Sequence, residues 1–396
     1  MVGSESRYEA WLGQRERDGL LRSLTAMATR DARTISVGSR SFVNFASNDY
    51  LSLRFHPALT ERAAEWAKRH GAGSGASRLV TGNLDLFAPI EAKVAALKGK
   101  PTSLLMASGF QANVAVLQAL LDQTVLGAEP LVFADRLNHA SMHFGCRAAG
   151  VEQIRYRHCD AGHLRDLLAR YADKGRPKFI LTESVFSMDG DVAPLAALGA
   201  LAREHGACLI VDDAHATGIL GQRGKGLSEG ADIAIGTFSK ALGGFGAYVA
   251  CTALIREYLV NRCSGLIYST ALPPSVLGAI DASLDLIPEM EGDRAYVAQL
   301  AEHFRAQANA RGHDTGASTT QIVPVVVGGN QGALDLSGAL RAAGFWATAI
   351  RPPTIPAGTA RVRLAFTRAH QESDIVRLLA ALGEAGAIQP AAASAQ

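Results

Sequence analysis

The amino-acid sequence predicts an α/β fold, with a large domain of mostly parallel sheet flanked by helices and a smaller C-terminal α+β domain. Five short apolar runs alternate with helical segments between about residues 85 and 250. These runs are apolar throughout, which is typical of strands covered by helices on both faces. We divide the chain into an N-terminal helix and strand segment (1–50), a large domain (51–290) and a C-terminal α+β domain (291–396).

The N-terminal segment combines a helix with a strand. Residues 5–30 have the spacing of an amphipathic helix, whose apolar members are Trp11, Leu12, Leu20, Leu21 and Leu24. The stretch RSFVNFASNDYLSL, at residues 40–53, is typical of a short strand that leads into a turn.

The apolar runs of the large domain are the predicted strands LLMAS, LVFAD, FILTES, CLIVDD and DIAIGT. Helical spacing lies between them, in FQANVAVLQALLDQ, AGHLRDLLARYADKG and APLAALGALAREHG. A long helix is predicted at about Ser275 to Glu291. In the C-terminal domain, the predicted strands are QIVPVVVGG, GFWATAI and RVRLAF, and the low-complexity tail QPAAASAQ is predicted to be disordered.

The composition restricts the class of protein. Hydrophobic residues make up 48% and charged residues 19% of the 396 residues, and 39 basic against 37 acidic residues give a net charge of +2. This balance provides no attraction to nucleic acid or a membrane surface, and no apolar run has the length of a membrane span. The five cysteines include no CxxC pair, so we expect neither disulfides nor a structural metal site. We expect a cytoplasmic location for the same reason.

Polar side chains follow every predicted strand of the large domain. In parallel sheets, ligands bind outside the carboxyl ends of the strands. These polar groups are therefore expected to form one site. In chain order they are Ser108, Gly109 and Phe110; Asp135 and His139; Glu183 and Ser187; Asp212, Asp213 and His215; and Thr237, Ser239 and Lys240.

One end of this site is suited to a phosphate. Gly109 and Phe110 open a helix, and the first backbone N–H groups of a helix attract anions. Three hydroxyl side chains add further hydrogen-bond donors, those of Ser187, Thr237 and Ser239.

The other end is suited to an aromatic, cationic ring. Asp212 at a buried strand end requires a cationic partner, which a protonated pyridine nitrogen supplies. His139 offers a flat ring for stacking, and His215 can bond a phenolic oxygen. Lys240 supplies the amine for a Schiff base. Together these groups indicate pyridoxal 5′-phosphate (PLP) as the cofactor.

Each of these residues also has an ordinary structural explanation, since Asp212 and Asp213 could cap a helix and single histidines usually belong to the core or surface. The glycine-rich stretch Gly71 to Gly82 lacks a complete dinucleotide fingerprint, which disfavours a nicotinamide-dependent dehydrogenase. No GxSxG elbow is present, which disfavours a serine hydrolase. A non-catalytic binding protein on the same fold is disfavoured by Lys240, Asp212 and Arg363.

The motifs in fact resemble the α-oxoamine synthase family of fold type I PLP enzymes. The resemblance covers nearly the whole chain. It rests on NFASNDYLSL, GSGASRLVTGN, ASGFQAN, DRLNHASM, ESVFSMDGD, VDDAHATG, GTFSKALGG, LIYSTALPP and RPPTIPAGTARVRLAF. One departure is Ala216, where the family often has glycine.

The resemblance implies a role for each site residue. Lys240 bonds the cofactor covalently, Asp212 pairs with the ring nitrogen, His139 stacks on the ring and His215 contacts its hydroxyl. Gly109, Phe110, Ser187, Thr237 and Ser239 surround the phosphate or ring. Ser269 and Thr270 reach a phosphate across the interface of a homodimer. Arg363 with Asn48 holds the amino-acid carboxylate, and Arg361 is the rival candidate, while Arg22 and Thr354 contact the acyl substrate.

The implied reaction is a decarboxylative condensation of L-alanine with a pimeloyl thioester in biotin biosynthesis. The final motif resembles the alanine-using branch of the family, and a branch that uses glycine is the alternative. Whether coenzyme A or acyl carrier protein carries the acyl group stays open.

Overall fold

The structure is a computed structural model that describes residues 2–172 and 175–387. The chain forms two compact units. The first takes in residues 2–47, 188–190 and 298–387 of the described chain, and the second takes in residues 48–187 and 191–297, again as far as they are described. Within the described residues, none of the helices has both the length and the apolar character that a membrane crossing requires.

In chain order, the strands are β1 (Ala28–Thr29), β2 (Thr34–Val37), β3 (Arg40–Asn44), β4 (Thr102–Met106), β5 (Leu131–Asp135), β6 (Gln153–Tyr156), β7 (Lys178–Glu183), β8 (Ala207–Asp212), β9 (Ile233–Thr237), β10 (Ala247–Cys251), β11 (Ile322–Gly328), β12 (Phe345–Trp346), β13 (Thr348–Ile350) and β14 (Ala360–Ala365).

The α-helices, in the same order, are α1 (Val2–Arg17), α2 (Pro57–His70), α3 (Phe87–Lys98), α4 (Gly109–Leu120), α5 (Gln123–Leu126), α6 (Ala140–Ala148), α7 (Ala161–Arg170), α8 (Leu195–His205), α9 (Ala253–Arg262), α10 (Ser264–Ile267), α11 (Pro274–Leu286), α12 (Glu291–Ala310), α13 (Asn330–Ala342) and α14 (Glu372–Ala387).

The second unit is built on a seven-stranded sheet of order β4-β10-β9-β8-β7-β5-β6. Strands β5 to β9 pair in parallel, and β10 runs antiparallel to both β9 and β4. All five predicted strands belong to this sheet and run in one direction, so the predicted α/β fold with a mostly parallel sheet is confirmed. Strands β6 and β10 were missed.

Apolar side chains on both faces of this sheet explain why its strands lack alternation. Ile210 in β8 packs into the cluster that includes α4 and α6, whereas its neighbours Leu209 and Val211 pack into the cluster that includes α7 and α8. Successive side chains of a strand point to opposite faces, so both faces must be apolar where both are covered by helices.

The first unit contains two small sheets. One has the order β1-β2-β3-β12, and the other, of order β11-β14-β13, is antiparallel with β14 in the centre. The predicted strands QIVPVVVGG and RVRLAF are therefore confirmed as β11 and β14. The stretch GFWATAI, predicted as one strand, forms the two strands β12 and β13, which lie in different sheets. Because β12 pairs in parallel with β3, the N-terminal segment and the C-terminal third form one unit, which differs from the three-segment division of the sequence.

Two helix predictions were wrong in extent. The predicted helix over residues 5–30 ends at Arg17, and Gly19 takes a left-handed φ of 63° that stops it. Trp11 and Leu24 from its supposed buried face are exposed. The predicted helix from Ser275 to Glu291 ends at Leu286 and is followed by a 3₁₀ turn, Ile287–Glu289, before α12 begins. The tail QPAAASAQ lies outside the described residues.

Candidate active site

The site of the second unit lies at the carboxyl edge of its central strands. Glu183 and Asp212 are the last residues of β7 and β8, and they are directly opposite each other in the parallel pairing. Thr237 is the last residue of the next strand, β9. All three side chains are buried. The sheet therefore brings together the strand ends that the sequence predicted.

Asp212 is held in place by groups on helix α4 and on the turn that follows β8. Asn113 Nδ2 donates to Asp212 Oδ2 at 2.7 Å, and the backbone N–H of Ala214 donates to Oδ1 at 3.0 Å. Asn113 Nδ2 also donates to Ser141 Oγ at 2.9 Å. The amide oxygen of Asn113 is buried and finds no hydrogen-bond partner in the described part of the chain.

His139 caps the start of α6 beside this network. Its Nδ1 lies 2.7 Å from Ser141 Oγ and accepts the backbone N–H of Ser141 at 3.3 Å, so the ring proton lies on Nε2. Burial lowers the pKa of His139, and the positive charge of Lys240 lowers it further, although Asp212 acts in the opposite direction. The imidazole is therefore neutral at neutral pH.

Glu183 is a second acid in the site, and its environment disfavours ionisation. Burial, followed by the negative charge of Asp212, raises the pKa of Glu183 well above its usual value. The charge of Lys240 and a hydrogen bond from the backbone N–H of His139 act in the opposite direction. Its Oε1 is buried without a hydrogen-bond partner among the described residues. Glu183 therefore holds its proton more tightly than an ordinary glutamic acid does.

His215 is fixed by a tyrosine that sequence analysis did not single out. Tyr50, which is fully buried, places its hydroxyl 2.7 Å from His215 Nδ1. The same hydroxyl donates to Asn48 Oδ1 at 3.2 Å. The predicted residues Asn48 and His215 are therefore joined through Tyr50.

Hydroxyl groups and a helix start lie beside the end of β9. Thr237 Oγ1 donates to the carbonyl of Gly246 at 2.7 Å and lies 2.8 Å from Ser239 Oγ. A Cβ at Gly109 would lie 3.7 Å from Thr237 Cβ, so the first residue of α4 is next to this strand end. Lys240 is the residue after Ser239 and is half-buried.

Other predicted residues lie around this centre. Phe110 is exposed and its ring centroid is 5.8 Å from that of Phe144. Ser187 is buried in the loop that follows β7. Ser269 Oγ accepts a hydrogen bond of 2.6 Å from Gln111 Nε2 on α4, and Thr270 bridges the backbone of Ser77.

Asp135, which follows the second predicted strand, belongs to a different cluster. Its carboxylate accepts the backbone N–H groups of Leu137 and Cys159, at 2.9 Å and 2.8 Å, and lies 3.0 Å from His158 Nδ1. His158 Nε2 in turn lies 2.7 Å from Asp191 Oδ2. Asp135 therefore anchors loops at the sheet edge.

The first unit holds the two rival arginines for the carboxylate. Arg361 and Arg363 lie two residues apart in β14 and both are buried. Residues at this spacing point to the same face of a strand, so alternation does not separate the two candidates. Arg361 is paired with Asp189 and donates to the carbonyls of Met188 and Thr359.

The two residues predicted for the acyl substrate are in contact in the same unit. Arg22 Nη2 donates to Thr354 Oγ1 at 3.0 Å, and both side chains are exposed. Arg351 lies close by and donates to the carbonyl of Gly19. Burial lowers the pKa of Arg351, and the charges of Arg22 and Arg15 lower it further. Three arginines therefore share a small surface that favours an anion.

Sequence reasoning missed Asn113, Ser141, Tyr50 and Arg351. All four lie within motifs that carried the family resemblance, namely NFASNDYLSL, ASGFQAN, DRLNHASM and RPPTIPAGTARVRLAF, so those motifs were the available signal. Asn113, for example, is a buried amide on the largely apolar helix α4.

Comparisons with known proteins show the family of the chain. A family model for class I and II aminotransferases matches residues 40–382. The chain is 57% identical to an 8-amino-7-oxononanoate synthase of Gluconacetobacter diazotrophicus over 351 residues, 87% of this chain and 88% of the relative. It is 45% identical to that of Geobacter sulfurreducens over 383 residues, with 95% and 96% covered.

Among solved structures, a serine palmitoyltransferase from S. paucimobilis with a bound PLP–myriocin aldimine has a TM-score of 0.90 to this chain. The two are 25% identical, with 96% of this chain and 98% of that chain covered. The chain therefore belongs to the PLP-dependent enzyme family that includes the class I and II aminotransferases and the 8-amino-7-oxononanoate synthases.

Proposed function

We propose that the chain catalyses the condensation of L-alanine with a pimeloyl thioester, releasing carbon dioxide and the free thiol and giving 8-amino-7-oxononanoate for biotin biosynthesis. The observation that carries the proposal is the group of Asp212, His139, His215 and Lys240 at one sheet edge. The relatives that carry this name are up to 57% identical to the chain.

The residues at the sheet edge fit PLP. Two buried oxygens, Asn113 Oδ1 and Glu183 Oε1, have no hydrogen-bond partner in the described chain. This is typical of a site shaped around a polar ligand. Asp212 would hold the ring nitrogen, His139 would stack on the ring and His215 would bond its hydroxyl. The N–H groups of α4 at Gly109 and Phe110 would hold the phosphate, with the hydroxyls of Ser187, Thr237 and Ser239.

When bound, PLP supplies an electron-poor ring that stabilises a carbanion at Cα of the amino acid. Asp212 would hold the ring nitrogen and so maintain that property. Lys240 would hold the cofactor, and its amine, once released, would remove the α-proton of alanine as a general base. The proton on Nε2 of His139 stabilises the oxyanion that develops at the thioester carbonyl.

The substrate contacts that we propose lie in the first unit. Arg363 is the candidate for the alanine carboxylate that the family resemblance implies, and its rival Arg361 is paired with Asp189. A pimeloyl chain ends in a second carboxylate, for which the shared positive charge of Arg22 and Arg351 is suited. Thr354, which accepts from Arg22, orients that guanidinium.

We also propose a homodimer in the cytoplasm. The backbone bridge between Ser77 and Thr270 brings together two segments with exposed apolar side chains, Leu79 and Val80 in one and Tyr268 in the other. Exposed apolar side chains on neighbouring segments are typical of an interface. Ser269 and Thr270 would then contact the cofactor phosphate of the other subunit. All five cysteines, which lie in the described ranges, are free, as expected in a reducing compartment.

Turnover assays with defined substrates test the reaction. The purified protein is given L-alanine, glycine or L-serine with pimeloyl, acetyl or palmitoyl thioesters on coenzyme A and on acyl carrier protein. We expect 8-amino-7-oxononanoate by mass spectrometry and a preference of about 10–200-fold for alanine over glycine, the range that one methyl group provides. Preference for serine with palmitoyl thioester, or for glycine, would refute the proposal.

A variant links the acyl preference to the arginines. Arg22→Ala should raise KM for pimeloyl thioester much more than KM for an uncharged acyl thioester of equal length. Arg40→Ala is the control, since Arg40 is an exposed arginine of the same unit that packs over Phe42. Equal effects of Arg22→Ala on both substrates would remove Arg22 from this role.

A further inference from the structure

A buried lysine lies behind the strand that carries Asp212. Lys98, the last residue of α3, is only 4% exposed. Its ammonium pairs with Asp213, which is fully buried, and donates to the carbonyl of Lys225. Burial acts to lower the pKa of Lys98, but the neighbouring Asp213 and Tyr248 outweigh it and raise that pKa. Lys98 is therefore a cation in the interior.

The two adjacent aspartates consequently have opposite surroundings. Asp212 accepts from Asn113 on α4, whereas Asp213 is paired with Lys98 on α3. Asp213 also accepts the hydroxyl of Ser228 at 2.9 Å and the backbone N–H of Leu227 at 3.2 Å. Strand β8 ends at Asp212, but the N–H of Asp213 still donates to the carbonyl of Ile235 in β9, so the two consecutive side chains have opposite surroundings, as they do within a strand.

The surrounding backbone is shaped to hold this pair. Gly226 has a left-handed φ of 78°, and a Cβ there would collide with the Asp213 carboxylate and lie 2.8 Å from Lys98 Nζ. Only glycine accommodates both the conformation and the close approach. The segment 225–228 therefore closes over the ion pair.

Asp213 also begins the turn that carries His215. The N–H of Thr217 donates to the carbonyl of Asp213 at 2.9 Å, and Thr217 Oγ1 lies 3.3 Å from Asp213 Oδ2. The same hydroxyl lies 2.6 Å from the hydroxyl of Tyr248 on β10. Moving Asp213 would displace both ends of the turn and, with them, His215.

We propose that Lys98 is a positioning residue of the cofactor site, which neutralises Asp213 so that the charge of Asp212 alone acts there and which fixes the 213–217 turn. This inference rests on the proposed function for its cofactor. It concerns PLP binding and electrostatics, however, and not the choice of amino acid or acyl group.

The test compares Lys98→Met, Asp213→Asn and the double variant with Lys93→Met. Lys93 is the matched control, because it lies on the same helix and pairs with Asp281 and Asp285 of α11. The dissociation constant of PLP is measured by equilibrium dialysis on each apoprotein, together with urea unfolding. We expect Lys98→Met to weaken PLP binding at least about tenfold and the double variant to recover part of that loss, because it leaves no unpaired buried charge.

A second readout separates electrostatics from a general loss of structure. The pH midpoint of the visible absorbance of bound PLP should rise in Lys98→Met, which leaves a negative charge uncompensated, and fall in Asp213→Asn, which leaves a positive one. Shifts in the same direction, or none, would overturn the inference, as would PLP affinity equal to that of Lys93→Met. If Lys98→Met does not fold, the PLP affinity and the pH midpoint of Asp213→Asn and of the double variant test the inference in its place.

The two proposals fail independently. A wild-type protein that binds PLP but makes no 8-amino-7-oxononanoate refutes the proposed function. In that case, PLP binding by Lys98→Met and wild type still tests the inference about Lys98. A Lys98→Met variant that binds PLP as wild type does refutes the inference, whatever the product.

Discussion

Replacing His158 by glutamine should destabilise the second unit, because His158 joins two carboxylates. Its Nδ1 lies 3.0 Å from Asp135 and its Nε2 lies 2.7 Å from Asp191, and its ring packs edge-on against Phe186 with centroids 4.4 Å apart. Burial acts to lower the pKa of His158, but the hydrogen bonds to Asp135 and Asp191 raise it to about 12. A positively charged imidazolium therefore lies between the two carboxyl groups at the sheet edge.

The magnitude follows from that shift. A rise from 6.5 to about 12 corresponds to roughly 7 kcal/mol of differential interaction. Glutamine keeps part of the hydrogen bonding, so we expect a loss of about 3–5 kcal/mol, the range for breaking a buried pair. Because the folded pKa lies above the unfolded one, this stabilisation is complete below pH 6.5 and is lost as the pH rises toward 12.

The assay is urea unfolding of wild type and His158→Gln at about pH 6.5 and about pH 9. The difference in unfolding free energy between wild type and His158→Gln should be largest at the lower pH. It should decline by up to about 1.4 kcal/mol for each unit by which the pH is raised. Arg157→Gln is the control, since Arg157 forms an exposed pair with Asp160 and should cost less than about 1 kcal/mol. A His158→Gln loss no larger than the control, or one that grows with pH, would refute the reasoning.

Three further predictions concern other groups. Borohydride reduction followed by peptide mapping should place PLP on Lys240, and Lys240→Ala should carry no reduced adduct, whereas an adduct on another lysine would refute the assignment. Tyr50→Phe removes the hydroxyl that holds His215 and should lower kcat about tenfold, the value of one hydrogen bond; unchanged kcat would show that His215 does not depend on it. Burial raises the pKa of Asp49 to about 6, so native protein binds this proton more tightly and stability falls as pH rises from 3.8 to 6. Between pH 3.8 and 6, urea unfolding should show the free energy of unfolding of Asp49→Asn rise by about 3 kcal/mol relative to that of wild type. A difference between the two proteins that stays constant over this range would contradict the prediction.

The predictable part of the fold was the part governed by local pattern. Apolar runs predicted β4, β5, β7, β8 and β9, because strands covered on both faces need no alternation. Strand β10 was missed because its place between β4 and β9 depends on pairing with residues far away in the chain. The N-terminal helix was overextended because the leucines after Arg17 continue the apolar spacing, whereas the backbone turns at Gly19.

The site was predictable to the same degree. Parallel strands place their carboxyl ends at one edge, so Asp212 and Thr237 could be grouped without any contact information. Tyr50 and Asn113 act through hydrogen bonds to His215 and Asp212 that depend on tertiary packing. The arginine pair of β14 shows the limit most directly, since Arg361 contacts Asp189, a residue 172 positions away, which no local pattern reveals.

The adjacent residues Asp212 and Asp213 show how the fold assigns different roles to identical side chains. By sequence either could neutralise a ring nitrogen or cap a helix. Strand β8 ends at Asp212, and its hydrogen bonding to β9 continues through Asp213, so Asp212 contacts Asn113 whereas Asp213 contacts the buried cation Lys98. A carboxylate that is paired with a lysine has part of its charge compensated and so offers less to a cationic ligand. In our proposal, the electrostatic role of Asp212 therefore depends on the cation behind its neighbour as well as on its own position.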